Sequence, residues 1–137
     1  MITKFKAAKA AIVKDGKMLF LKKARFELGR ALKSGIDIPG GRLKEGEDPK
    51  EALKREVKEE TGLNIRVIRK IMDFDVIKND KAHVRADAFL CEVIGSDKIT
   101  LSDEHSSAIW KELRDSDSEL DGWLVDVFKK IKEEYEK

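Results

Sequence analysis

Apolar residues near the start of the chain gather in two short runs, Ala7 to Val13 and Met18 to Leu21, with the polar tetrad Lys14-Asp15-Gly16-Lys17 between them. Asp-Gly favours the positive backbone angles of a tight turn, so the pattern predicts an antiparallel hairpin. A polar, glycine-containing stretch follows, Lys22 to Gly35. It reads either as a loop over a ligand or as a surface loop without a role. Ile36-Asp37-Ile38 then predicts a short strand stopped by Pro39-Gly40-Gly41.

The next signal is a helix start. Asp48 suits the N-cap, Pro49 the first helical position and Glu51 the third, an Asp variant of the capping box. The helix is predicted over 49–61, with Gly62 in the left-handed position just past its end. Beyond Leu63 the β-branched and apolar segments Asn64 to Ile77 and His83 to Ile94 flank Lys78-Asn79-Asp80-Lys81, and predict a second hairpin of central strands. A shorter strand is expected around Ser107 to Lys111. The tail carries Leu120, Trp123, Leu124, Val127, Phe128, Ile131 and Tyr135 at steps of three and four, the mark of a closing amphipathic helix with Trp123 and Phe128 in the core. Trp110 is also expected in the core.

Composition narrows the setting. The 137 residues suit one domain spanning 1–137, and 41% hydrophobic with 41% charged residues implies a compact core beneath a densely ionic surface. Lys plus Arg total 29 against 27 Asp plus Glu, which leaves no basic footprint for duplex nucleic acid. No apolar run is long enough for a membrane span and no secretory leader is evident, so no membrane partner and a cytoplasmic location are expected. Cys91 is the single cysteine, which excludes an internal disulfide; its apolar context reads as a buried structural thiol.

The chemistry lies in the first helix. At about 100° per residue, Glu56, Glu59 and Glu60 share one sector, with Leu53 and Val57 beside it to dock the helix and the small Ala52 within it. Carboxylates so spaced repel one another unless a cation neutralises them, and an oxygen-only donor set favours a hard ion such as Mg²⁺. Taken alone, the cluster reads better as a solvated helix, with Arg55 paired to Glu51 and Glu59 and with Lys54 and Lys58 diluting the charge. The flanks change that balance. Pro39-Gly40-Gly41 supplies a turn whose carbonyls could face a metal, and Glu47 precedes the cap within reach of Arg55.

Gly41, Glu47, Arg55, Glu56, Val57, Glu59, Glu60, Gly62 and Leu63 follow the spacing G-x5-E-x7-R-E-U-x-E-E-x-G-U, with U aliphatic, without insertion or deletion. The chain therefore resembles the Nudix hydrolases. The likeness extends to Ile36-Asp37-Ile38-Pro39-Gly40-Gly41, although family members often carry Trp where Ile36 stands. It implies an α/β/α sandwich around a mixed sheet, and water-driven cleavage of a diphosphate linkage with Mg²⁺ or Mn²⁺. The resemblance assigns Glu56, Glu59, Glu60 and the Gly40 carbonyl to the metal. Glu59, Glu47, Arg55 and Glu104 form the expected catalytic set.

Arg55 reads better as an organiser than as a substrate clamp, holding a carboxylate such as Glu47 by bidentate hydrogen bonds. Glu47 itself is open among metal ligand, partner of Arg55 and general base. Leu101-Ser102-Asp103-Glu104-His105-Ser106 is the expected source of an outside acid, with Glu104 as base or extra ligand and His105 as a surface imidazole. Lys22, Lys23 and Arg25 run toward the site as phosphate contacts or as a solvated face. Phe26, Phe74 and His83 are not assigned to a base.

For substrate, the chain has no proline after Pro49 and no tyrosine between Leu63 and Tyr135. These absences lower the odds of ADP-ribose and dinucleoside polyphosphate hydrolases respectively, and favour a MutT-like nucleoside di- or triphosphate pyrophosphohydrolase. A non-catalytic nucleotide-binding module of the same fold is the alternative of another class, and the intact acids argue against it. A small nucleotide-like partner is implied, and a homodimer is left open.

Overall fold

The computed structural model describes residues 3–23, 35–79 and 82–135. The expected hairpin forms from β1 (Thr3–Lys14) and β2 (Lys17–Lys23), paired antiparallel through Val13 and Met18. Its turn puts Asp15 at φ 51° and Gly16 at φ 74°, as a tight turn between twisted strands requires. β3 (Ile36–Asp37) joins β2. Pro39-Gly40-Gly41 does more than stop it, because Gly40–Arg42 is itself a strand, β4, paired antiparallel to β1.

The helix α1 (Pro49–Thr61) has the bounds that its caps predict. It is followed by β5 (Ile65–Asn79), β6 (Ala82–Val93), β7 (His105–Glu112) and α2 (Trp123–Tyr135). The strand order is β3-β2-β1-β6-β5, with β4 also on β1 and β7 also on β2. β1 and β6 run parallel and the other pairs antiparallel, so the sheet is mixed.

Side chains alternate through this sheet into two cores. Ala8, Ala10 and Ile12 of β1, Leu19 and Leu21 of β2 and Cys91 of β6 meet Leu53 and Val57 of α1. Ala11 and Val13, Met18 and Phe20, and Ala88 and Leu90 point the other way, against Leu124, Val127, Phe128 and Ile131 of α2. A period of two with both faces apolar is what a sheet covered on both sides demands. The architecture is the expected α/β/α sandwich.

Several expectations need correction. β5 is an edge strand rather than a central one, because β6 takes the place beside β1 through a parallel pairing that local patterning does not encode. Leu120 precedes α2, and Tyr135 at its end is exposed, so the buried stripe is shorter than the periodic one. Trp123 and Trp110 are only partly buried; Trp123 lies stacked on Phe74 with ring centroids 4.4 Å apart. Cys91 is buried, and burial pushes its thiol up to about 12, as expected of a structural thiol. No helix among the described residues is long and apolar enough to cross a membrane.

Candidate active site

The site is built where α1 meets β4. Asp48 accepts the Glu51 N–H at 3.0 Å at one end of the helix. At the other, Gly62 sits at φ 76° and returns its N–H to Lys58. With both ends fixed, the acidic face is held in one rotation relative to the sheet. Leu53 and Val57, fully buried, set that rotation.

The three carboxylates share a face at three depths. Glu60 is 7% exposed, and its Oε2 accepts the Gly40 N–H at 2.8 Å. Burial pushes its carboxyl up to about 7, with Lys9 and the Gly40 N–H opposing and Glu56 and Asp37 adding to the rise. Glu56 is half-buried beside Gly41, where an added Cβ would stand 3.1 Å from its Oε2. Glu59 is the outermost, with its side chain 60% exposed.

Gly40 is fixed by geometry. Its φ is +134°, and a Cβ would come within 2.2 Å of the Ala8 carbonyl oxygen, so only glycine lets β4 lie this close to β1. The turn therefore contributes a backbone donor that positions Glu60, where the sequence points only to a carbonyl.

Arg55 gathers the acids around it. Its Nε and Nη2 reach the two oxygens of Glu47, each at 3.1 Å, and its Nη1 lies 3.2 Å from Glu56 and 3.4 Å from Glu59. The pairing with Glu51 does not form; Glu51 meets Lys54 instead. Glu47 also accepts the Lys44 N–H, and Arg55 foremost, then this bond, holds its carboxyl below the usual range. Of the three readings left open for Glu47, the contact with Arg55 is visible directly.

The loop before β7 closes over Glu60. Thr100 N–H donates to the Thr61 carbonyl at 2.9 Å and Ser102 N–H to the Glu60 carbonyl at 3.2 Å. This docking brings donor atoms of Glu60, Glu104 and His105 within 4.8 Å of one another. Glu104 is exposed, but His105 is not the expected surface imidazole: it is buried, and burial holds it below its ordinary value, helped by the nearby charge of Lys23.

Lys23 does not point freely toward a phosphate, since its Nζ lies 3.6 Å from Asp37. Lys22 is exposed, and Arg25 and Phe26 lie outside the described residues. Sequence reasoning missed Asp37 and Lys9. Asp37 is buried, accepts the Ile38 N–H at 2.7 Å and is paired to Lys9 at 3.2 Å. The one available signal was a charged residue inside an otherwise apolar strand.

The donor set fits a divalent cation. Glu60 carries a carboxylate that burial disfavours and Glu56 adds a second nearby, while Lys9 is shared with Asp37 and Arg55 with Glu47 and Glu59, so these cations offset only part of the acids' charge. Carboxylate oxygens of graded depth, open on the Glu59 side, suit a hard ion that keeps waters and meets phosphate.

Comparison with known proteins agrees with this geometry. The NUDIX domain model matches residues 4–130. An ADP-ribose pyrophosphatase of Bacillus subtilis (strain 168) is 36% identical over 64 residues, covering 47% of this chain and 33% of that protein. An ADP-ribose pyrophosphatase of Methanocaldococcus jannaschii is 34% identical over 92 residues, covering 66% of this chain and 52% of that protein. The match thus spans between a third and about half the length of these curated relatives. The crystal structure of a MutT protein from Methanosarcina mazei Go1 superposes with a TM-score of 0.80 at 25% identity, covering 99% of this chain and 98% of that one.

Proposed function

The chain belongs to the NUDIX domain family, and from that membership we propose that it is a cytoplasmic, metal-dependent pyrophosphohydrolase. It cleaves a diphosphate linkage in a nucleoside di- or triphosphate or a related nucleotide, by attack of water at phosphorus. Two observations together carry the reading: a buried Glu60 held by the Gly40 N–H, and, separately, an Arg55 that ties Glu47, Glu56 and Glu59 together. A helix built only to be solvated has no use for a desolvated carboxylate.

Glu56, Glu59, Glu60 and the Gly40 carbonyl are the proposed donors for Mg²⁺ or Mn²⁺. When bound, such a cation supplies neutralisation of phosphate charge and a lowered pKa for the attacking water. The chain's own contribution is placement. Arg55 keeps Glu56 and Glu59 turned to one side of the helix, and Glu47 fixes Arg55. The attacking water forms the new P–O bond, the anhydride P–O bond breaks, and a carboxylate takes the water's proton. Glu104 suits that last role better than Glu47, whose oxygens are committed to Arg55 and Lys44 and whose carboxyl is made less basic by them. Arg25 is a proposed phosphate contact, and Lys23 is the other, on the condition that it exchanges its Asp37 partner for a phosphate oxygen.

A second substrate reading is supported by the two curated relatives, both ADP-ribose pyrophosphatases. ADP-ribose and nucleoside triphosphates offer the same anhydride to the acids and differ only in what flanks it. The deciding experiment incubates the purified protein, with Mg²⁺ or Mn²⁺, against canonical and oxidised nucleoside triphosphates, ADP-ribose and dinucleoside polyphosphates, and identifies the products. Metal-dependent release of a nucleoside monophosphate from one of these classes is expected. Absence of turnover on all of them overturns the enzyme reading in favour of a binding module.

A further inference from the structure

One buried group beside the acids has no assigned work. His105 is 8% exposed, and its Nδ1 is shut off from solvent with no hydrogen-bond partner among the described residues. A buried imidazole nitrogen left in this state weakens the fold unless something in the finished site satisfies it.

Its placement is imposed by the backbone. Pairing between β2 and β7 jumps from Lys22 opposite Ser107 to Lys23 opposite His105, so Ser106 is an extra residue and the ladder bulges there. A bulge breaks the simple alternation of a strand and re-aims the side chain beside it. The His105 N–H donates to the Ser102 carbonyl at 3.3 Å, closing the turn that carries Asp103 and Glu104, while Ser102 is itself tied to Glu60. Main-chain bonds therefore hold the backbone of His105 close to the backbone that carries the two carboxylates.

A nitrogen of His105 and an oxygen each of Glu60 and Glu104 lie within 4.8 Å of one another. A first-row cation with bonds of about 2.1 Å spans donors up to about 4.2 Å apart. The remaining half ångström or so is within the swing of the exposed Glu104 side chain. We propose that His105 is the nitrogen donor of a mixed nitrogen and oxygen cation site shared with Glu60 and Glu104, which takes a borderline divalent ion of the Co²⁺ or Zn²⁺ class in preference to Mg²⁺. Imidazole adds little for a hard ion and much for a borderline one, so the buried histidine shifts selectivity without displacing the carboxylates. The site shares Glu60, and Glu104 as the proposed base, with the hydrolase reading and rests on it to that extent.

The chain has two histidines, which makes the test clean. His83 lies elsewhere on the surface, its Nε2 2.8 Å from Asp75. In the proton spectrum of the Co²⁺-loaded full chain, an exchangeable imidazole signal shifted by the paramagnetic ion is expected, retained in His83→Gln and absent in His105→Gln. Calorimetry should show Co²⁺ affinity falling about tenfold or more in His105→Gln, with Mg²⁺ affinity changed less than about twofold. A wild-type spectrum without the shifted signal overturns the site, whether or not the variant folds. Equal loss of Co²⁺ and Mg²⁺ affinity overturns it too, as does a signal that disappears in His83→Gln. Full Mg²⁺-dependent hydrolysis alongside such a spectrum would leave the hydrolase reading standing and remove only this one.

Discussion

The two helices are equal in length at 13 residues and cover opposite faces of one sheet, yet they bury different things. α2 seals its face with Leu124, Val127, Phe128 and Ile131. α1 buries only Leu53, Val57 and the small Ala52 as apolar groups, and along with them Thr61 and the carboxylate of Glu60. Accordingly α1 is capped at both ends by side chain and glycine, while α2 depends on its apolar stripe. One helix holds the fold; the other spends part of its interface on chemistry.

The sharpest way to break that contrast is to exchange the kinds of damage. Phe128→Ala removes a fully buried ring that meets Phe20 edge-on, with centroids 5.9 Å apart. It should cost about 3–5 kcal/mol in urea unfolding, with kcat of the folded fraction preserved. If activity fell as steeply as stability, α2 would be part of the site and the contrast would fail.

Glu60→Gln should do the reverse. A loss in kcat/KM on the order of 10²–10³ is expected, the scale for one preorganised electrostatic group, while the melting temperature holds or rises because a desolvated charge has been removed. Full activity in a folded variant would take Glu60 out of the site. Next in size, Arg55→Lys keeps the charge but loses the fork that holds Glu47, and should cost roughly 10–100-fold in rate. Glu47→Gln should cost no more than that, and the double variant little more than Arg55→Lys alone, since Glu47 acts through the Arg55 guanidinium. Additive losses would show that Glu47 acts on its own.

The smallest effect belongs to neither helix. On the exposed β5–β6 surface, Lys70 foremost, with Arg85, holds Asp73 below its ordinary value; His83 foremost, with Arg85, does the same for Asp75. Folded values below the unfolded ones mean stabilisation that is complete above the unfolded carboxylate range of about 4 and lost as pH falls through the folded values. Thermal melts of Asp73→Asn and Asp75→Asn should therefore converge on wild type in acid and differ slightly at neutral pH. A difference that grew in acid would reverse the sign and remove the assignment.

What the sequence disclosed follows from how local each signal is. The bounds of α1 were legible because Asp48, Pro49 and Gly62 act within one turn of where they stand, and the Asp15-Gly16 hairpin for the same reason. The carboxylate face and the grip of Arg55 on Glu47 also follow from spacing along one helix and its entry loop. The edge position of β5 was hidden because it depends on β1 choosing β6, whose paired residues lie 79 positions further along the chain. His105 escaped for a similar reason: its burial comes from a bulge between strands far apart in sequence, and no apolar neighbour pattern marks it. Asp37 gave a signal, a charge in an apolar strand, but its partners Lys9 and Lys23 sit on two other strands.

The hydrogen bonds from Thr100 and Ser102 to the last carbonyls of α1 carry a further meaning. A helix end normally leaves those carbonyls to water; here the strap that bears Glu104 occupies them. The amides of Thr100 and Ser102 can then trade their protons with solvent only when the end of the helix loosens, and the last turn loosens most readily when the strap lifts. Glu60 and Glu104 belong in that sense to one opening unit. A fluctuation that exposes either disperses both, so the acids are assembled or scattered together rather than lost one at a time.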